Sequence, residues 1–174
     1  MPRDHAPNII LLYADQMRWD AMRCAGNPVI RTPHLDRLAA EGVLFSHCIS
    51  TTPVCVAARY SLLTGRRVGE TGRFANNDVH PEPLLDTIPA LLGHTGYHCC
   101  SLGKMHFIPK RRHYGFHHRE QMCEIPIWPQ DDDYLMWLRE QGYGHKREIH
   151  GVRNLLYSQP QTSPLPQEAH GTWW

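Results

Sequence analysis

Thr87-Ile88-Pro89-Ala90-Leu91-Leu92-Gly93-His94-Thr95-Gly96-Tyr97-His98-Cys99-Cys100-Ser101-Leu102 runs straight into Gly103-Lys104-Met105-His106. Asp86-Thr87 offers a side-chain cap, so the stretch predicts a helix from Ile88 to Thr95 that Gly96 ends. Tyr97 to Leu102 then reads as a strand with a polar Gly-Lys-Met-His run at its carboxyl end. A helix followed at once by a strand is the repeating unit of an α/β domain.

The alternation continues on the amino-terminal side. Asn8 to Ala14 is an apolar run through Ile9, Ile10, Leu11 and Leu12 that stops at Asp15-Gln16, as suits a buried strand of a mostly parallel sheet. Thr32-Pro33 opens a helix with Leu35, Leu38 and Ala39 on its apolar face, Gly42 ends it, and Val43-Leu44-Phe45 predicts a second strand. Another helix is predicted from about Cys55 or Val56 to Leu63, closed by Gly65. The fold class expected is α/β, a mostly parallel central sheet flanked by helices, with its core motifs between residues 8 and 107. After Phe107 the pattern loosens. Lys110-Arg111-Arg112-His113 and Ile125 to Asp133 read as irregular, Tyr134 to Gln141 as a short helix, and Ser158 to Gln167, with three prolines, as loop.

Composition narrows the function classes. At 174 residues and 41% hydrophobic, the chain suffices for one domain with a core. Eighteen basic residues against 17 acidic ones leave no nucleic-acid footprint in the totals. No run approaches a membrane span, and the early apolar run is too short for a signal peptide, so a cytoplasmic location is expected. The six cysteines show no CxxC pair or metal-finger spacing, which favours reduced thiols that pack as small hydrophobes. Cys55 is the exception.

Four positions carry chemistry, each at a strand end or helix start. Asp15 and Gln16 follow the first strand and offer hard oxygen donors suited to Ca²⁺ or Mg²⁺, although alone they would equally cap or turn the chain. Cys55 opens a helix, where positive potential favours an anion, and Arg59 follows one turn later on the same face. A buried structural cysteine is the plainer account of any isolated pair of this kind. Lys104 and His106 supply a compact charge and a hydrogen-bonding or proton-transferring ring, where a solvated strand end is the alternative. Asn76-Asn77, following Gly72-Arg73-Phe74, reads by itself as a polar turn before Asp78.

Cys55-Val56-Ala57-Ala58-Arg59 followed by Leu62-Leu63-Thr64-Gly65 resembles the signature of the type I sulfatases, in its Cys-x-Ala-x-Arg form. Gly103-Lys104-Met105-His106 resembles that family's Gly-Lys-x-His block, and Thr32-Pro33-His34-Leu35-Asp36-Arg37-Leu38-Ala39 its Thr-Pro-Asn-Leu-Asp-x-Leu-Ala block. The resembling segments span roughly Asn8 to His106 in the family's order. The resemblance implies an alkaline-phosphatase-like fold and hydrolysis of a sulfate ester, of a small molecule or a carbohydrate. It implies oxidation of Cys55 to formylglycine by a maturation enzyme, with the hydrated aldehyde as nucleophile. It further implies a divalent metal, Ca²⁺ with Mg²⁺ or Mn²⁺ as alternatives, held by Asp15, Gln16 and the modified Cys55. Arg59, Lys104 and His106 would stabilise charge on the sulfate, and Asn76, Lys104 and His106 would contact substrate.

Family members are longer and draw further metal ligands, a second lysine and another histidine from later sequence; after His106 only His150 and His170 could stand for that histidine. With Trp173-Trp174 at its end, residues 1–174 read as the N-terminal portion of a sulfatase catalytic domain, a fragment expected to turn over little alone. Two alternatives stand beside this: a phosphonate or phosphate ester hydrolase of the same superfamily, or a non-catalytic remnant. No oligomeric state is legible.

Overall fold

The computed structural model describes residues 6–76, 86–123, 126, 128–145 and 164–170. The chain divides into two compact units, residues 1–51 and 52–174.

In the first unit the 3-10 turns Trp19–Ala21 and Arg23–Ala25 precede helix α1, Pro33–Glu41. Thr32 stands at the N-cap of α1, yet its hydroxyl makes no cap bond within that helix. Instead it accepts from the Arg23 amide and donates to the Asp36 carboxylate, each at 2.9 Å, and Asp36 also accepts from the Cys24 amide. A threonine whose oxygen is claimed by a neighbouring turn ties two elements together rather than ending one. Asn27 closes the turns, donating to Asp20 O and accepting from the Val29 and Ile30 amides.

The strands expected at Asn8–Ala14 and Val43–Phe45 enter no β ladder among the described residues. Ile10 is 80% exposed and Leu12 84%. A strand is a pairing of two backbones, not a property of one segment, so an apolar run without a ladder partner is left uncovered. No residue of α1 is buried either.

The second unit holds α2, Cys55–Thr64, α3, Val68–Thr71, and α4, Ile88–His94. Strand β1, Cys100–Lys104, pairs in parallel with β2, His118–Met122, in the register Cys100↔His118 to Lys104↔Met122. Helix α5, Asp133–Glu140, follows. Helices α2, α4 and α5 fall within a residue or so of their predicted bounds. β1 starts three residues later than the predicted strand. β2 lies in the region read as irregular: His-Arg-Glu-Gln-Met has neither an apolar run nor an apolar–polar alternation, and only its partner makes it a strand.

Two cores organise this unit among the described residues. Val56, Tyr60, Leu63 and Phe107 form the first, with Met105, Ile108, Tyr114 and Phe116 packed against it. Tyr134, Leu138, Leu165 and Ala169 form the second, and the Tyr134 hydroxyl donates to Ala169 O at 2.8 Å. The described end of the proline-rich loop is therefore packed, because Leu165 is buried beside α5.

The Lys110–His113 run does not present a free cationic face. Arg111 donates to both carboxylate oxygens of Asp133, at 2.8 and 2.9 Å, and Lys110 lies 4.0 Å from Asp131. Asp132 between them is buried and caps α5, accepting from the Leu135 and Cys123 amides. Burial pushes its carboxyl above the usual carboxylate range against the pull of those amides. The two oppositely charged runs thus answer each other locally.

Candidate active site

The site is built where the start of α2 meets the end of β1. Cys55 is the first residue of α2 and half-buried. Its N-cap position is Val54, which has no side-chain acceptor for the first-turn amides. Asn76 supplies that acceptor from further along the chain: Val56 N–H donates to Asn76 Oδ1 at 3.0 Å. The acceptor meets the second helical amide, where a local cap would act. With Oδ1 engaged, the Asn76 Nδ2 amide group is the part left to serve as a donor.

Arg59 lies one turn below Cys55 and is 8% exposed. Its guanidinium donates to Lys104 O at 2.5 Å. Lys104 closes β1, and its Nζ stands 3.7 Å from Cys55 Sγ. Gly103, at φ +92, provides the backbone turn before it, and His106, two residues later, has φ +52. Cys55, Arg59, Asn76 and Lys104 are therefore joined by hydrogen bonds between α2, β1 and the Asn76 turn. His106 lies on the same segment as Lys104 and is half-buried. A thiol at a helix start beside an ammonium, with a further guanidinium below, is a place for a small anion.

Asp15 and Gln16 belong to the first unit, where both are exposed and Gln16 has φ +54. Among the described residues no three His, Cys, Asp or Glu side chains are grouped to hold a metal ion. Of the two later histidines, His170 follows the Gln167–Ala169 turn, and His150 lies outside the described residues, as does Asn77. No helix among the described residues is long and apolar enough to cross a membrane.

The Sulfatase family model matches residues 7–167, a span that contains Asp15, Gln16, Cys55, Arg59, Asn76, Lys104 and His106. The chain belongs to the Sulfatase family. It is 36% identical over 156 residues to an arylsulfatase of Clostridium perfringens, covering 82% of this chain and 32% of that protein. It is 36% identical over 171 residues to an N-acetylglucosamine-6-O-sulfatase of Bacteroides thetaiotaomicron, covering 94% of this chain and 30% of that protein. The sulfatase segment spans about a third of the length of these curated relatives.

Among solved structures, the phosphonate monoester hydrolase of Agrobacterium radiobacter superposes with a TM-score of 0.68 at 24% identity, over 92% of this chain and 34% of that one. The fold is alkaline-phosphatase-like, and this chain carries part of it: a small parallel sheet flanked by helices.

Proposed function

We propose that this sulfatase segment carries the nucleophile and the anion-recognition end of a sulfuric ester hydrolase. The observation that carries the reading is the Lys104 ammonium 3.7 Å from Cys55 Sγ at the start of α2. Converted to formylglycine by a maturation enzyme, position 55 supplies a hydrated aldehyde as nucleophile. Lys104 neutralises charge on the sulfate, and Arg59 holds Lys104 in place through its carbonyl while adding positive potential beneath the site. The Asn76 amide group donates to the bound anion, with its carbonyl oxygen held by Val56 N–H. His106 hydrogen-bonds the oxygen on which charge develops.

Asp15 and Gln16 are among the residues of this chain that would hold the metal, the modified residue 55 being the third that the family resemblance implies. A carboxylate and an amide oxygen, both exposed, are hard donors that suit Ca²⁺, with Mg²⁺ or Mn²⁺ as alternatives. Calcium takes roughly six to eight oxygens, so these two side chains form part of a shell. Such an ion would supply Lewis-acid chemistry when bound. The organic half of the substrate is a small alcohol, a phenol or a sugar. An arylsulfatase and an N-acetylglucosamine-6-O-sulfatase among the relatives support both kinds.

A second reading keeps the site and changes the ester to a phosphonate or phosphate, supported by the likeness to a phosphonate monoester hydrolase. Comparing kcat/KM on an aryl sulfate, an aryl phosphonate monoester and an aryl phosphate diester separates the two. Preference for the sulfate is expected, and preference for either phosphorus ester would overturn the sulfatase reading.

A further inference from the structure

The segment that carries Lys104 and His106 is gripped at both ends by consecutive residues of α2. At its start, the Arg59 guanidinium donates to Lys104 O. At its end, the Tyr60 hydroxyl lies 2.8 Å from Ile108 O, and the Tyr114 hydroxyl donates to the same carbonyl. The two hydroxyls are themselves 2.6 Å apart, so their two protons are shared among three close oxygens. Between the grips, Phe107 is 5% exposed and packs edge-on against Tyr60, with ring centroids 5.7 Å apart.

His106 sits inside this bracket with φ +52, in the left-handed region that few residues other than glycine adopt, although histidine enters it more readily than most. The three rings are locked as a set. Tyr114 packs against Tyr60 at 5.6 Å and against Phe107 at 4.9 Å. An arginine covers each: Arg73 over Tyr60, Arg112 over Tyr114 and Arg119 over Phe107.

We propose that the Tyr60–Tyr114 hydroxyl pair is a positioning device that, by clamping Ile108 O, sets the Lys104–His106 segment against Cys55. Both tyrosines act through the backbone of the anion-binding segment, at Ile108 O. The inference rests on the reading of Lys104 and Cys55 as the anion site. The signal in the sequence is a tyrosine placed directly after Arg59, where the helix needs only a packing residue.

The test uses the chain with Cys55 left as a thiol, expressed without a maturation activity. Cys55 is alkylated with iodoacetate and, separately, with iodoacetamide, and fragment spectra distinguish Cys55 from Cys48 in the peptide Leu38 to Arg59. The ratio of the two rates cancels the reactivity of the thiol and reports the positive charge beside it. Lys104→Met should lower that ratio roughly fourfold, the effect of one unit charge acting through water at about 5 Å. Tyr60→Phe and Tyr114→Phe should each lower it about twofold, and the double variant should approach the Lys104→Met value, if charge and reagent interact as in water.

A core tyrosine of purely structural importance would shift the unfolding midpoint and leave the ratio unchanged. Should the double variant fail to fold, the single variants decide: a fall in both supports the clamp, and a wild-type ratio in both overturns it. A wild-type ratio in the double variant, with Lys104→Met lowered, overturns the clamp and leaves the sulfatase reading intact. An unchanged ratio in Lys104→Met overturns the anion site and the clamp with it.

Discussion

Replacing Asn76 separates its two roles, because one oxygen caps a helix and one amide group is left for the ligand. In Asn76→Ala the Val56 amide loses the acceptor now at 3.0 Å, and Val54 has none to offer in its place. Loss of a cap of this kind costs about 1 kcal/mol. With a urea slope of roughly 2 kcal/mol per molar, the unfolding midpoint should fall by about 0.5 M. Asn76→Asp keeps the acceptor and puts a negative charge at a helix start, a change that contributes roughly 0.3–1 kcal/mol in favour of folding.

The expected order of stability is therefore Asp at or above wild type, with Ala below. The expected order of activity differs, because both variants lose the Nδ2 donor and the carboxylate also repels a sulfate. Urea titrations followed by far-UV circular dichroism, alongside KM for an aryl sulfate in the mature enzyme, read both. An Asn76→Asp protein destabilised as much as Asn76→Ala would refute the cap. So would an Asn76→Ala protein with an unchanged midpoint.

Three further outcomes follow from the packing. Gly115→Ala should cost more than about 2 kcal/mol, since φ +90 disfavours a side chain and the new Cβ would meet Ala90 N at 2.4 Å, disturbing the Thr87 cap of α4; urea unfolding measures it. Asp133→Ala should destabilise more than Arg111→Ala: the exposed ion pair contributes about 0–1 kcal/mol, whereas Asp133 also accepts from the amide of buried Gln121. For Asp132, whose folded carboxyl is raised above its ordinary value of 3.8, the neutral form is favoured by folding. Its contribution is full below that value and declines as pH rises through the raised one, and Asp132→Asn should flatten this part of a stability–pH profile.

What was legible in the sequence depended on whether a signal was local. The helix from Cys55 to Thr64 carries its stop in Gly65, whose φ of +68 is the left-handed conformation expected after a helix end. Thr87 caps α4 as its position suggests, accepting from Ala90 N. The Cys55–Arg59 spacing and the Lys104–His106 run were visible as residue types at strand and helix ends. Their meeting was not, because Arg59 and Lys104 are joined only by folding. β2 was invisible for the same reason: its residues are polar, and β1 alone makes them a strand. The apolar run at Ile9 to Leu12 shows the converse, a strong local signal that finds no ladder among the described residues. The cap on α2 also escaped a local reading, since the acceptor stands twenty residues from the amide it serves.

The central claim is that position 55 of this sulfatase segment is the nucleophile of formylglycine chemistry. Peptide mass spectrometry of the protein from its native host, on the tryptic peptide Leu38 to Arg59, tests it most directly. The account predicts an aldehyde at residue 55, with oxygen in place of the thiol, and an unmodified thiol at Cys48. A thiol at Cys55 in protein made alongside an active maturation enzyme would contradict it.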